Sequence, residues 1–169
     1  MKTAGVLAIA ALAMVCSGQD AARRPDLTGV AKIESGFELK LKNLDPADPF
    51  DRLGACSGVY LSGYGLVFTT PLSLVAAPAF GPFTGGFTVE KAEAVHKRKL
   101  AHLPVLRKAM REMVMDAARA FSALPPNEKI VVAARLFYMD YESKTGLPDQ
   151  IVMAADRASA MAGNVQEEQ

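Results

Sequence analysis

"GVYLSGYGLVFTT", residues 58–70, is the stretch on which the fold turns. Residues 55–61 and 66–74 are apolar runs rich in Val, Tyr, Phe and Thr, separated by Ser62-Gly63-Tyr64-Gly65. Strand formers on both sides of a short glycine-bearing link read as a β-hairpin. The glycines also raise the question of a phosphate loop. The third glycine of a G-x-G-x-x-G fingerprint would fall at Phe68, and strand formers follow where a phosphate needs a helix N-terminus. Glycine here supplies positive φ to a turn. A turn does not require an aromatic tip, so Tyr64 is a candidate contact residue that either caps the core or faces a partner.

Beyond the hairpin, "AAPAFGPFTGGF", residues 76–87, mixes prolines, glycines and three phenylalanines. It cannot sustain a helix or a central strand. An apolar loop of this length is either a cover packed on the core or a binding lip. Phe80, Phe83 and Phe87 therefore join Tyr64 as candidate binding residues.

Thr88 is placed to cap a short helical segment over 89–99, and a longer helix over 101–124 follows, with Pro104 in its first turn. Leu103, Leu106, Met110, Met113, Ala117, Ala120 and Leu124 recur at three- and four-residue steps, which puts them on one stripe. Such spacing suits a coiled-coil dimer or, as the reading adopted, a helix packed on its own sheet. Pro125-Pro126-Asn127 ends the helix. Residues 129–139 and 150–155 are apolar strands joined by the polar "DYESKTGLPD", an antiparallel pair with a long turn. The tail, 157–169, adds a short helix before an acidic end.

Towards the amino terminus, Phe37, Leu39 and Leu41 alternate with Glu38, Lys40 and Lys42, a strand pattern over 36–44, and "LDPADPF" then forces a turn. Residues 19–35 read as a flexible segment. Lys2 followed by an apolar run over 4–15 reads as a signal peptide, residues 1–18, cut after Gly18 or, as second choice, after Ala21. Val15 stands where lipoprotein signals carry a small residue, which argues against a lipid on Cys16. The run is too short to span a bilayer, and no second run follows. The expectation is an exported chain, periplasmic or extracellular, with one α+β domain over 36–156. Its antiparallel sheet of four to five strands carries the long helix across one face.

Half of the 169 residues are apolar and 22% are charged, a globular balance. Loss of Lys2 with the signal reduces the 19 Lys and Arg to 18, against 18 Asp and Glu. Near-zero charge argues against a nucleic-acid partner. Cys56 is then the sole cysteine, expected to be buried at the start of its strand.

The candidate chemistry is sparse. Cys56 with His96 or His102 is a formal thiol and imidazole pairing that the sequence does not bring together. Glu93 and His96 have the Glu-x-x-His spacing of di-iron bundles, without the second pair that chemistry needs. His96-Lys97-Arg98-Lys99 with Arg107, Lys108 and Arg111 is a basic cluster that reads as a solvated helix face or a contact for an acidic partner. Asp140, Glu142 and Asp149 lack the order of a calcium loop. No cofactor or metal is implied.

"CSGVYLSGYGLVFTTPLSLV" resembles the strand pair of HtrA-type and trypsin-like serine proteases. Thr69-Thr70 lead into Pro71-Leu72-Ser73 where that family carries its histidine, and no Gly-x-Ser-Gly loop follows, so catalysis does not transfer. The apolar leader, "GVYLSGYGLVF", "ALPPNEKIVV" and "FYMDYESKTGLPDQIVM" together resemble a family of uncharacterised exported bacterial proteins with a strand pair, a long helix and a closing strand pair. That resemblance implies export and architecture and brings no activity. The functional expectation is a non-enzymatic binding or assembly module of the cell envelope. It would meet another envelope protein through the sheet edge, the Phe80–Phe87 loop or the helix stripe. The alternative is a small secreted hydrolase without a recognisable motif.

Overall fold

The computed structural model describes residues 28–76 and 88–168. The 1–18 leader with Cys16, and Phe80, Phe83 and Phe87, lie outside the described residues. The hairpin forms as its sequence dictates. β2 (Ser57–Leu61) pairs antiparallel with β3 (Gly65–Ser73), in register from Ser57↔Thr69 to Leu61↔Gly65. Gly63 and Gly65 take positive φ, 77° and 131°. Ahead of β2, the two-residue β1 (Asp51–Arg52) pairs with the far end of the same strand, so β1 and β2 line one side of β3 in tandem.

The other side of β3 corrects the expected pairing. β4 (Lys129–Leu136) runs parallel to it, from Gly65↔Lys129 to Leu72↔Leu136, so the sheet is mixed and not purely antiparallel. Parallel neighbours need a crossover, and one long helix supplies it. α2 (Val89–Ala120) is 32 residues, about 48 Å at 1.5 Å per residue. It is continuous where two helices are expected, because Pro104 sits on its exposed side and the buried stripe runs past it unbroken from Val95 to Ala118. Thr88 caps it, accepting the Lys91 N–H at 3.3 Å. The helix stops at Ala120, but Phe121 and Leu124 still enter the core.

β5 (Gln150–Asp156) pairs antiparallel with β4, as expected, and β6 (Gln166–Glu168) adds an edge to β5. Between them α3 (Arg157–Met161) is capped by Asp156, which accepts the Ser159 N–H at 2.7 Å. The tail is thus structured, with a strand beyond the expected helix.

Residues 36–44 are helical, not a strand. α1 (Thr28–Asn43) buries Val30, Phe37 and Leu41 and leaves Leu39 60% exposed. Phe37 and Leu41 satisfy a helical i, i+4 step as well as a period of two, and Val30 and Ile33 extend the helical series upstream. Residues 28–35, read as flexible, belong to this helix. The Phe37 and Phe68 rings stack with centroids 6.2 Å apart, fixing α1 over β2 and β3.

The architecture is therefore α+β, a mixed sheet with one long helix. Phe68, Leu72, Ile130, Val132, Ile151 and Met153 point to α2, whose Leu106, Met110, Met113 and Val114 complete the core. No helix among the described residues is long and apolar enough to cross a membrane.

Candidate functional site

Side chains alternate along a strand, so the residues between the core positions form the opposite face of the sheet. There β2 contributes Val59 and Leu61, β3 contributes Val67, Thr69 and Pro71, and β4 contributes Val131, Ala133 and Arg135. β5 adds Val152 and Ala154. The helices pack on the other side, and among the described residues no element lies over this face. Val59 and Leu61 are 50% and 46% exposed. An open depression of about 310 Å³ on this face runs between Pro71, Ala133, Arg135 and Gln150. The Arg135 guanidinium lies over the Phe137 ring at 5.5 Å, and Phe137 is itself exposed. At the other end Lys129 pairs with Glu168 at 3.5 Å.

The helix stripe and the sheet edges that the sequence suggests are less open. The α2 stripe is in the core. The free edge of β2 is occupied, since Glu34 and Glu38 of α1 accept the Gly58 and Cys56 N–H groups at 2.6 and 3.0 Å. The opposite edge, β6, is three residues long and carries Glu167 and Glu168, paired with Arg107 and Lys129. Short, charged or covered edges resist strand addition.

Tyr64 is 43% exposed at the hairpin tip, with its N–H donating to Leu61 O at 3.0 Å and its carbonyl accepting from Lys129 N at 2.7 Å. Its backbone is thus held at the turn, and its side chain meets solvent. Cys56 is buried, and burial pushes its thiol up to about 12, with Glu34 and Glu38 adding to the effect.

His102 is buried, with Nδ1 2.6 Å from Leu74 O and Nε2 3.4 and 3.7 Å from the Asp48 and Asp45 carboxylates. Both ring nitrogens face acceptors other than a hydroxyl or thiol. Cys56 lies beside α1, so the two are not brought together as a nucleophile and base. Arg98 binds Asp48 and holds its carboxyl below the usual range. The expected basic cluster is dispersed by these contacts: Arg98 turns to Asp48, Arg107 to Glu167, and Lys99 goes inside. Lys99 pairs with Glu142 at 2.5 Å and lies over the Tyr138 ring at 4.9 Å. Glu142 and Asp149 therefore serve separate lysines, Asp149 taking Lys144 at 3.0 Å.

A concavity of about 700 Å³ among the described residues lies between the first turns of α2 and Tyr141 and Ser143. Two of its polar groups, His96 and Glu90, are engaged locally. His96 Nδ1 meets Ser143 O at 3.0 Å, and Glu90 is held below the usual carboxylate range by its own N–H and the Thr88 hydroxyl. Glu93 lines the same wall as His96.

Compared with protein families, curated proteins and solved structures, the chain matches none. The uncovered face was legible only indirectly. A strand with Val59 and Leu61 on one side and Gly58 and Tyr60 on the other signals apolar character on the side away from the core.

Proposed function

We propose that this chain is an exported, non-enzymatic binding or assembly module of the cell envelope, and that it docks a partner on the uncovered face of its sheet. The observation that carries the reading is Val59 and Leu61, half exposed on the same face as Val67, Val131 and Ala133, with no described element over them. A contiguous apolar patch of this kind on a folded chain marks an interaction site more often than an incidental surface. The buried helix stripe and the capped β2 edge favour the face over those two surfaces, while the Phe80–Phe87 loop lies outside the described residues. Export is supported by the apolar run after Lys2. A hydrolase draws no support from His102, whose nitrogens are turned to a carbonyl and two carboxylates.

The test is crosslinking capture in the cell envelope with Val59→Asp/Leu61→Asp against the parent chain. The expected outcome is loss of captured partner with the melting temperature unchanged, since both side chains already meet solvent. Capture equal to that of the parent rejects the face.

A further inference from the structure

We propose that His102 is a pH-sensitive clasp, which fastens the turn between α1 and β1 onto α2 when Nε2 carries a proton and releases it when that proton leaves. The inference is independent of the docking face.

The ring sits where three stretches of chain meet. α2 presents it, Leu74 brings a carbonyl from just beyond β3, and the turn brings Asp45, Asp48 and Phe50, whose ring centroid is 4.9 Å away. Nδ1 lies 2.6 Å from Leu74 O. A carbonyl oxygen can only accept, so at that distance Nδ1 is the nitrogen that bears a hydrogen. This fixes the tautomer of a neutral ring and leaves Nε2 with a lone pair. The lone pair would then face the Asp48 and Asp45 carboxylates at 3.4 and 3.7 Å, three groups without a donor among them. Only the doubly protonated ring suits all of its neighbours, as a donor at Nδ1 and a cation towards both acids. Burial opposes charge on this side chain, which is 7% exposed, and the two acids favour it.

The groups around the ring make the response local. Among the described residues the turn contributes Asp45 and Asp48, α2 contributes Arg98 alongside, and the end of β3 contributes the carbonyl alone. Asp48 is held below the usual carboxylate range by Arg98 chiefly and by His102 in part, so it stays ionised while the ring changes charge. When the proton leaves, Asp48 keeps Arg98. Asp45 has no such second cation among the described residues. Its Oδ1 caps the Ala47 and Asp48 N–H groups, each at 3.1 Å, while its Oδ2 faces His102. One carboxylate thus joins the cap to the clasp, and the capped amides are where release is felt first. The sign follows from the proton: the turn is held in acid and freed as pH rises.

The experiment is nitrogen-15 NMR of the full chain between pH 5 and 8, the range in which histidine changes charge. It reads the His102 ring nitrogens together with amide protection factors, which correct for the pH dependence of unstructured exchange. The expected result is that Nε2 loses its proton, Nδ1 keeps its own, and protection at Ala47 and Asp48 falls about tenfold in step, with the α2 amides unchanged. His102→Asn keeps a donor for Leu74 O without the charge, so the tenfold fall should vanish. Asp45→Asn retains an amide oxygen for the cap on a side chain that is 39% exposed, and should cut the fall to less than about threefold. It keeps the test decisive if His102→Asn does not fold. A ring that holds one charge state throughout, a proton lost from Nδ1, or steady protection at Ala47 and Asp48 overturns the clasp. An undiminished fall in either variant assigns the response to another group and overturns it as well.

Discussion

Glu34 of α1 accepts the backbone N–H of Gly58 in β2 at 2.6 Å, and Glu38, one helical turn later, accepts that of Cys56 at 3.0 Å. Two carboxylates at i, i+4 thereby close an edge that would otherwise present unpaired donors to any passing strand. Gly58 makes the approach possible. A Cβ there would meet the Phe68 ring at 2.6 Å and Val30 Cγ1 at 2.8 Å. The helix that seals the edge and the glycine that admits it are one device.

Opening that edge is the first prediction. Charge-assisted hydrogen bonds to a backbone donor contribute up to about 3 kcal/mol, but these carboxylates are partly exposed, so Glu34→Ala and Glu38→Ala are each expected to cost about 1 kcal/mol. Urea midpoints would measure it. Amide exchange gives the more specific reading: the Gly58 and Cys56 amides should exchange faster in the respective variants, with the α2 amides unchanged. Equal protection in parent and variant would show that the carboxylates do not cap the edge.

The hairpin glycines are expected to separate sharply. Gly63 has φ +77° and open space around it, so Gly63→Ala should cost about 1 kcal/mol, the ordinary penalty of the left-handed region. Gly65 has φ +131°, and a Cβ there would land on the Lys129 carbonyl. The β3–β4 pairing must move to admit it, so Gly65→Ala should cost more than about 3 kcal/mol. Comparable denaturation midpoints for the two variants would overturn this account of the turn.

These same residues show what could be read in advance. The hairpin, the α2 stripe, the Thr88 cap and the β4–β5 pair follow from local periodicity and turn chemistry. The direction of the β3–β4 pairing does not, because a buried apolar strand such as Ile130–Val132 pairs equally well either way, and only the crossover helix decides. α1 was ambiguous for a different reason. Phe37 and Leu41 fit both periods, and the deciding residue, Leu39, reveals its exposure only in three dimensions. In the candidate site, Tyr64 was legible as an aromatic where a turn needs none. The face beside it was not, because Val67 and Val131 look like core until the helices are seen to occupy one side only.

The Lys99–Glu142 pair fastens the loop between β4 and β5 to α2 with side chains 2% and 5% exposed. Removing one partner of a buried pair leaves a charge without compensation, so Glu142→Ala is expected to cost about 3–5 kcal/mol. Replacing both with apolar groups removes the desolvation penalty together with the attraction, so Lys99→Met/Glu142→Leu should recover most of that loss. Denaturant unfolding of Lys99→Met, Glu142→Leu and the double variant closes the cycle. A double variant as unstable as the sum of the singles would mean that the two side chains act independently.

Alkaline conditions should weaken the fold through Cys56 and Tyr138. Burial pushes the Cys56 thiol from 9.0 up to about 12, helped by Glu34 and Glu38, and the Tyr138 hydroxyl from 10.0 up to about 12, helped by Asp149 and Glu142. Both groups hold their protons more tightly folded than unfolded. Between the two values the native state binds more protons, so stability is complete below pH 9 and falls as pH rises towards 12. The urea midpoint should be level from neutral pH to 9 and then decline. Cys56→Ala should lessen the decline between 9 and 10, where the thiol acts alone, and leave the steeper part due to Tyr138. The same burial predicts that a thiol reagent at pH 8 labels Cys56 only at the rate of unfolding. Rapid labelling of the native chain, or a midpoint that rises above pH 9, would contradict the placement of Cys56 behind α1.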